Sequence, residues 1–192
     1  MPTKPEQGDL EFVLYTSQGD SSRVVFAPGT IEEAYEQTRL AFDIAWEYQI
    51  PTIIIYDQKL SGENTNVDVE FFDREPQPDL GATLTEEELR EAAHDNSGKF
   101  KRFNYEDAEN GVAQRSIPGQ KGGRFLATGN EHSPVGHISE DPDNRVAQMD
   151  RRLEKLESIR EDLDSRDSST QTYFGDETAD YGGITWGSSQ GA

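Results

Sequence analysis

The chain is 192 residues long, only 32% of them are hydrophobic, and 38 acidic residues against 18 lysines and arginines give a formal net charge of −20. This balance argues against nucleic-acid binding, because no basic patch is available to neutralise phosphates. The sequence has no apolar run of membrane-spanning length and no signal-peptide pattern, and its lack of cysteine excludes a disulfide or an iron–sulfur cluster held by this chain. The composition predicts a cytoplasmic protein.

Two explanations fit the acidic composition. Lysine is half as common as arginine, and an excess of Asp and Glu with little lysine is typical of a halophilic protein, whose self-repulsion is screened by concentrated salt. Ordinary acidic disorder is the alternative. Apolar residues concentrate between residues 10 and 57. We therefore expect a packed core in that part of the chain and poorer packing after it.

The first predicted element is a short helix after residue 8. Residues 1–8 are polar and contain two prolines, which predicts an extended start. The apolar run from Leu10 to Tyr15 fits a buried helix or a strand. Asp9 as N-cap and Gly19 as terminator favour the helix.

The clearest pattern runs from residue 23 to residue 57 and predicts strand, helix, strand. Val24–Phe26 is a short β-rich run, and Thr30 with Glu33 forms a capping box before apolar residues at helical spacing. The helix should end at Ile50-Pro51, since the residue before a proline is pushed out of the helical region. Thr52–Tyr56 is apolar on successive residues, as expected of a strand covered on both faces. These elements predict a right-handed βαβ crossover and an α/β fold.

The region after this unit has the pattern of connecting structure. Asp57 either contacts a ligand at the end of the second strand or caps the following turn, and we favour the cap. Residues 58–82 are rich in turn formers with one β-like patch at 67–72, and residues 85–93 predict a short acidic helix. Gly122-Gly123 follows a lysine, but the residue order of a phosphate loop is absent, so a plain turn is favoured.

A second strong helix is predicted over residues 143–164. Its apolar residues recur at 3-4-3 spacing and then continue, at Val146, Met149, Leu153, Leu156, Ile159 and Leu163. This stripe covers about two heptads, which is too short for a free-standing coiled coil. We expect a connecting helix that lies on a surface, either its own or a partner's.

The side chains between residues 131 and 141 that could carry chemistry are Glu131, His132, His137, Glu140 and Asp141. The two histidines are separated by a proline and a glycine and do not match the spacing of zinc ligands. A hydrogen-bonded loop near an interface is therefore the favoured interpretation. Glu131 and His132 could act as an acid–base pair if their geometry permits it.

Residues 173–192 look like the opening of another α/β domain. An acidic loop leads into a short strand that ends at Gly187-Ser188-Ser189, where a helix should start. A first strand without its sheet cannot cover its edges or its faces. From this tail, and from the uncovered second strand of the βαβ unit, we expect the sequence to be part of a longer chain, cut at both ends.

Four blocks of sequence occur in a familiar order. They are PTKPEQGDLEFVLY, RVVFAPGTIEEAYEQTRLAFDIAWEYQIPTIIIYDQKL, RFLATGNEHSPVGHISEDPDNRVAQMDRRLEKLE and DETADYGGITWGSSQG. Together they resemble the alpha subunit of the 2-oxoacid:ferredoxin oxidoreductases of the pyruvate or 2-oxoglutarate type, in an acidic, haloarchaeal-like form. The resemblance covers nearly the whole chain and depends on the combined order of the blocks.

The resemblance implies a fold and a domain organisation. Residues 1–57 would form the C-terminal half of a transketolase-like pyrimidine-binding domain with a parallel sheet. Residues 58–172 would form an irregular and helical interdomain region. Residues 173–192 would start a transketolase C-terminal-like α/β domain.

The resemblance also implies an activity and partners. The assembled enzyme would decarboxylate a 2-oxoacid on thiamine diphosphate, form acyl-CoA and pass two electrons to ferredoxin. A beta subunit would hold the diphosphate, Mg²⁺ and an iron–sulfur cluster, so that no cofactor is expected on this chain alone. The implied partners are the beta subunit and, through the complex, ferredoxin and coenzyme A, without nucleic acid or membrane.

The chain departs from the family in length. The family's alpha subunit continues on both sides of this sequence, and the glutamate that activates the cofactor and the early substrate loop have no counterpart here. This chain alone is therefore expected to be inactive. The family's Pro-Thr-basic segment corresponds to Pro2, Thr3 and Lys4, which makes Thr3 and Lys4 candidates for the substrate cleft. Its Gly-Asn-Glu-His block makes Glu131 and His132 the candidate catalytic residues.

A second class of function competes with this one. The helix over residues 143–164 could bind a partner helix or groove, which would make the chain a non-enzymatic acidic interaction module. A small stand-alone ligand-binding α/β domain is less attractive, because two strands make too small a sheet.

Overall fold

The computed structural model describes residues 6–17, 21–72, 77, 79–92, 94–106, 108–166, 175–176 and 178–190. The chain divides into two compact units, one of residues 1–46, 50–79 and 160–192 and the other of residues 47–49 and 80–159. The elements in chain order are α1 (Gly8–Tyr15), β1 (Val24–Phe26), α2 (Ile31–Glu47), β2 (Thr52–Ile54), α3 (Gln58–Gly62), a 3₁₀ helix (Val69–Phe71), α4 (Glu86–Glu91), α5 (Pro142–Ser165) and a second 3₁₀ helix (Gly187–Ser189).

The first unit is built on the strand, helix, strand pattern that the sequence predicts. β1 and β2 form a parallel pair in which Val24 lies opposite Thr52 and Phe26 lies opposite Ile54. α2 is the connection between them. The predicted βαβ unit is therefore confirmed.

The start of α2 forms only part of the predicted capping box. Thr30 Oγ1 accepts a hydrogen bond from the backbone N–H of Glu33 at 3.1 Å. The Glu33 carboxylate reaches one residue further back than expected and accepts from the N–H of Gly29 at 2.7 Å. Both bonds satisfy N–H groups that have no partner within the helix. The buried residues of the helix are Gln37, Ala41 and Ile44.

Two predicted details of the first unit are wrong. Asp9 does not precede α1 but lies inside its first turn, where its carboxylate accepts from the N–H of Glu6 at 2.8 Å. The β-like patch at 67–72 forms a 3₁₀ helix, because the Asp68 side chain offers a local acceptor to the N–H of Glu70 at 3.0 Å. Gly19, the predicted terminator of α1, lies outside the described residues.

The second strand is shorter and less covered than predicted. β2 ends at Ile54, and each of its residues is half-buried where the apolar run predicts cover on both faces. The phenyl rings of Phe71, the last residue of the first 3₁₀ helix, and Phe72, the next residue, pack edge-on against Tyr35, with centroid distances of 5.7 Å and 5.0 Å. This aromatic contact supplies packing that the short sheet does not.

Asp57 fastens the C-terminal tail to the end of β2. One carboxylate oxygen accepts from the N–H of Leu60 at 2.9 Å and caps α3, and the other accepts from the N–H of Ser188 at 2.7 Å. The favoured interpretation of Asp57 as a cap is confirmed. The tail also comes close to the backbone at Gly29, since a Cβ at this position would lie 2.9 Å from the carbonyl oxygen of Gly187.

The strand predicted before Gly187 is absent from the described residues. Residues 181–186 have no regular secondary structure, and the chain turns into the 3₁₀ helix Gly187–Ser189. An extended segment forms a strand only where it pairs with a neighbour, and the described sheet contains β1 and β2 alone. The domain boundaries predicted from the resemblance stay a prediction.

The second unit has a small apolar core and many turns. Its core consists of Leu84, Leu89 and Phe100, with Ala92 and Phe125 packed against it. α4 supplies Leu89 and confirms the helix predicted over residues 85–93, of which residue 93 is not described. Its complete capping box joins Thr85 and Glu88 through bonds of 3.2 and 2.8 Å.

α5 confirms the helix predicted over residues 143–164 but buries a mainly polar face, together with Ile159 of the apolar stripe. Its buried residues are Asn144, Gln148, Arg151, Lys155 and Ile159. Val146, Leu153 and Leu156 remain 60%, 48% and 38% exposed. The helix therefore lies on its own unit through a mainly polar face, and within the described part of the chain three of the six residues of its apolar stripe stay exposed.

None of the helices in the described ranges combines the length and the apolar character that crossing a membrane requires.

We expect Asp57→Ala to lower the free energy of unfolding of the first unit by about 1–2 kcal/mol, because two backbone N–H groups lose their acceptor. A urea titration followed by circular dichroism measures the loss. Asp68→Ala is the matched control, since it removes the same charge and caps only the short 3₁₀ helix. Equal losses in the two variants would show that Asp57 does not fasten the tail.

Candidate functional site

Glu131 anchors the loop that contains the candidate catalytic residues. Its carboxylate accepts hydrogen bonds of 2.6 Å from both Arg145 and Arg152 of α5, and its side chain is only 15% exposed. Partial burial by itself would raise the pKa of the Glu131 carboxyl, but the bonds from Arg152 and Arg145 outweigh it and hold that pKa below its usual range. Glu131 is therefore a charged anchor.

His132 is held in a defined tautomer by the same loop. Its Nδ1 lies 2.9 Å from the carbonyl oxygen of Asn130. Because a carbonyl can only accept, Nδ1 carries the proton of the neutral ring and Nε2 is left as an acceptor. The ring packs edge-on against Phe103 at 4.3 Å between centroids. The side chains of His132 and Glu131 are thus both fixed, but within the described part of the chain they are not bonded to each other.

α5 holds this loop through buried amide side chains. Asn144 Nδ2 donates to the carbonyl of His132 at 3.1 Å, and Gln148 Nε2 donates to the carbonyl of Phe103 at 2.9 Å. Gln148 is completely buried. These two bonds fix the backbone beneath the imidazole and the ring against which it packs.

Gly136 lets the loop close on the segment before it. The loop is a tight turn in which the N–H of Ser133 donates to the carbonyl of His137 at 2.8 Å. Gly136 has a φ of +86°, and a Cβ at this position would lie 1.8 Å from the carbonyl oxygen of Leu126. Only glycine is compatible with this geometry.

Within the described residues, His132 and His137 have separate hydrogen-bond partners and do not gather into a metal site. His137 Nε2 accepts from Lys99 Nζ at 2.7 Å. Within the described ranges no three His, Asp or Glu side chains lie close enough to hold a metal ion together. This stretch forms a hydrogen-bonded loop, and its predicted position near an interface stays a prediction.

Two buried cations of the second unit, Arg151 and Lys155, lie near the half-buried Arg102, and two of these three side chains bind Gln49. Arg102 Nη2 donates to the Gln49 side-chain oxygen at 2.7 Å, and Lys155 Nζ donates to the Gln49 backbone carbonyl at 3.4 Å. Arg151 donates to Gln148 at 3.0 Å and to the carbonyl of Gly111 at 3.4 Å. We call Arg102, Arg151 and Lys155 the cation cluster. Within the described residues none of its members forms an ion pair.

All three members of the cation cluster have lowered pKa values. Burial, followed by the charges of Arg151, Arg102 and Arg152, lowers the pKa of Lys155 to about 7. Burial is also the main cause that lowers the pKa values of Arg102 and Arg151 to about 10. Lys155 is thus the member of the cluster that can give up its charge near neutral pH.

The cation cluster was not foreseen from the sequence, although a signal for it exists. Asn144, Gln148, Arg151 and Lys155 recur at 4-3-4 spacing, the same periodicity that marks the apolar stripe. A stripe of polar residues on a helix is ordinarily predicted to face solvent, so the burial of these four residues could not be inferred from the sequence. Gln49 carries no motif, and Arg102 lies in an irregular segment.

The other predicted candidates fall outside this site. Thr3 and Lys4 lie outside the described residues. The Gly122-Gly123 pair forms a turn, as predicted. Asp57 belongs to the first unit and acts there as a cap.

The chain matches a family of known proteins over most of its length. Residues 1–151 match the sequence profile described as pyruvate flavodoxin/ferredoxin oxidoreductase, thiamine diphosphate-binding. This match takes in well over half of the 192 residues. The chain belongs to this family, and the resemblance stated from its sequence blocks is confirmed.

Its relatives are alpha subunits of 2-oxoacid:ferredoxin oxidoreductases. The chain is 29% identical over 191 residues to the alpha subunit of 2-oxoacid:ferredoxin oxidoreductase 1 of Sulfurisphaera tokodaii, covering 100% of this chain and 28% of that protein. It is 32% identical over 189 residues to the corresponding subunit of Aeropyrum pernix, covering 98% of this chain and 27% of that protein. The chain thus spans little more than a quarter of the length of these relatives.

A solved structure has the same fold. The 2-oxoglutarate:ferredoxin oxidoreductase from Magnetococcus marinus, solved with 2-oxoglutarate, coenzyme A and succinyl-CoA bound, superposes with a TM-score of 0.64 at 24% identity. The match covers 88% of this chain and 27% of that chain. The predicted α/β fold class is confirmed.

We expect the stability of the chain to rise with pH above neutrality because of Lys155. Between pH about 7 and the ordinary lysine pKa of 10.5, the unfolded chain holds a proton that the folded chain has lost. Folding is therefore favoured as pH rises through this window, by up to about 1.4 kcal/mol per pH unit, while below it Lys155 contributes no slope.

Urea titrations from pH 7 to pH 9.5 measure this slope. Lys155→Met should remove it, and Lys59→Met, at an exposed lysine, should leave it unchanged. An identical slope in the wild-type chain and in Lys155→Met would contradict the assignment.

Proposed function

We propose that this chain is part of the alpha subunit of a thiamine-diphosphate-dependent 2-oxoacid:ferredoxin oxidoreductase. The assembled enzyme would convert a 2-oxoacid to acyl-CoA and reduce ferredoxin, and the chain alone would be inactive. The observation that carries this proposal is the match over residues 1–151 to a thiamine-diphosphate-binding family. The alignment of the whole chain with the Sulfurisphaera tokodaii alpha subunit supports it.

The loop on α5 is the part of the chain that we assign to the active-site region. Glu131 is engaged by two arginines, so its role in this proposal is to position the loop. His132 presents Nε2 as a hydrogen-bond acceptor in a fixed tautomer, which suits a group that accepts a proton or orients a ligand donor. Thr3 and Lys4 are proposed for the substrate cleft on the resemblance of their segment to the family's Pro-Thr-basic segment.

The cofactors and partners follow from the same proposal. Thiamine diphosphate would supply the site at which the 2-oxoacid loses carbon dioxide. Its diphosphate, Mg²⁺ and the iron–sulfur cluster would belong to a beta subunit, with coenzyme A and ferredoxin binding to the complex in the cytoplasm. The residues described here form no metal-ligand cluster and no phosphate loop, so no step is assigned to them through these groups.

The domain organisation remains part of the proposal. Residues 1–57 would complete a pyrimidine-binding domain, residues 58–172 would connect it, and residues 173–192 would begin a transketolase C-terminal-like domain. The parallel pair of β1 and β2 supports the first assignment. The non-enzymatic interaction module is less well supported, because the relatives are subunits of enzymes.

We expect a chimera to show the activity. In it, this chain replaces the matching stretch of the Sulfurisphaera tokodaii alpha subunit, and the product is assembled with that enzyme's other subunit. Ferredoxin reduction should require a 2-oxoacid and thiamine diphosphate, while the isolated chain should show none.

His132→Asn in the chimera should lower kcat by at least about tenfold, since the acceptor Nε2 is lost. His137→Asn, the same change at an exposed histidine of the same loop, is the matched control. A chimera that assembles and binds thiamine diphosphate but turns over no 2-oxoacid would contradict the proposed function.

We also propose that the acidic composition is an adaptation to high salt. Self-repulsion among charges that sum to −20 weakens as the screening length falls to about 3 Å in molar salt. The far-UV helical signal and the thermal unfolding temperature should therefore rise as KCl increases from 0.1 M into the molar range. A chain that is equally folded and equally stable in dilute buffer would contradict this adaptation.

A further inference from the structure

The cation cluster gathers positive charge inside the second unit without a bound counter-ion among the described residues. Lys155 and Arg151 are only 5% and 8% exposed. Arg102 is half-buried, and its Nη1 atom has almost no accessible surface and no hydrogen-bond acceptor in the described part of the chain. Like charges buried together are costly unless an anion lies beside them or one of them loses its proton. The cluster therefore combines an excess of positive charge with a buried N–H group that lacks an acceptor.

Lys155 is the member of the cluster that can react as an amine. Its Nζ donates a long bond of 3.4 Å to the carbonyl of Gln49, so the group is only loosely held. Burial and the charges of the neighbouring arginines lower the pKa of Lys155 to about 7, so that a large fraction of the amine is neutral at neutral pH. A neutral amine carries a lone pair and is a nucleophile, whereas the arginines keep their protons at this pH.

A reactant that reaches this amine has to be small and uncharged. A preformed anion would lose its hydration on entering the buried cluster, which is costly. Carbon dioxide carries no charge, and neutral amines attack its carbon atom to form carbamates. The remainder of a longer subunit does not reach the Arg102 Nη1 atom, because that atom has almost no accessible surface. Carbon dioxide is thus the reactant that best fits the enclosed amine and the cations around it.

We propose that Lys155 is a carboxylation site, at which dissolved carbon dioxide forms a carbamate that is stabilised by Arg102 and Arg151. The Nζ lone pair forms a bond to the carbon of carbon dioxide, one C=O π bond opens to leave its electron pair on oxygen, and the nitrogen releases one proton to water. The new carboxylate offers acceptors to Arg102 and a counter-charge to Arg151, which lies one helical turn before Lys155. The inference does not depend on the proposed function.

Labelling of the 192-residue chain tests the site directly. The chain is equilibrated with ¹³C-labelled bicarbonate at about pH 8, carbamates are trapped by ethylation with triethyloxonium ion, and the peptides are identified by mass spectrometry. The label on Lys155 should exceed that on the exposed Lys59 at least about tenfold, because lysine in water stays protonated at this pH. Equal labelling of the two lysines, or no label on Lys155, would overturn the proposal.

Removal of one guanidinium tests the role of the arginines. Arg102→Met should lower the label on Lys155 at least about threefold even at about pH 9.5, where the amine is neutral without help from Arg102, because the carbamate loses a charged donor. Arg90→Met, at an exposed arginine of the same unit, is the matched control and should leave the label unchanged. The same label on Lys155 in both variants and in the wild-type chain would contradict stabilisation by Arg102.

Thermal unfolding distinguishes a carbamate from a bound anion. At constant pH and ionic strength, carbon dioxide should raise the unfolding temperature of the wild-type chain and of Lys59→Met by at least about 2 °C and leave Lys155→Met unchanged. An equal rise in Lys155→Met would mean that the effect does not involve this amine, and the proposal would fail. It would also fail if inorganic phosphate or acetate gave the rise in buffer free of carbon dioxide while carbon dioxide left Lys155 unlabelled, since the cluster would then bind a preformed anion.

Discussion

The second unit depends on the burial of the polar face of α5. An apolar face would need apolar surface opposite it, but this unit consists mostly of turns, whose carbonyl groups point inward and must find donors. Asn144 and Gln148 supply those donors to the carbonyls of His132 and Phe103. Removing one of these amides would leave a buried carbonyl unsatisfied, which is more costly than the bond itself is stabilising. The helix thus acts as a frame of hydrogen-bond donors on which the loops are arranged.

The distribution of charge follows from the same arrangement. Carbonyl oxygens attract cations, and two of the 18 lysines and arginines of this acidic chain, Arg151 and Lys155, lie on the inner face of α5, where they are 8% and 5% exposed. The acidic residues of the helix remain outside. The negative charge of the chain, −20 in total, therefore lies on the surface, while the interior of the second unit contains buried positive charge.

Local patterns predicted the elements well and their burial less well. The βαβ unit, α4, α5 and the Asp57 cap follow from spacing and capping residues, which are local properties. The face on which α5 is buried could not be inferred, because the hydrophobic stripe and the polar stripe have the same period and only the surface opposite decides between them. Residues 67–72 have β-forming side chains, but the bond from Asp68 to Glu70 selects a tighter turn. Glu131 could be named from its own sequence block. Arg145 and Arg152, which bind its carboxylate, could not be identified in the same way, because that contact depends on the folded structure.

Gly136 limits how the candidate loop can change over evolutionary time. Its Cβ position is already occupied by the Leu126 carbonyl, 1.8 Å away. The loop can therefore accept new side chains at exposed positions such as His137 and Ile138, but it cannot drift through intermediates that alter residue 136. New ligand preferences in this part of the molecule would have to arise on a backbone of unchanged shape. Because residue 136 must stay glycine, the backbone conformation of the loop is conserved while its exposed side chains can change.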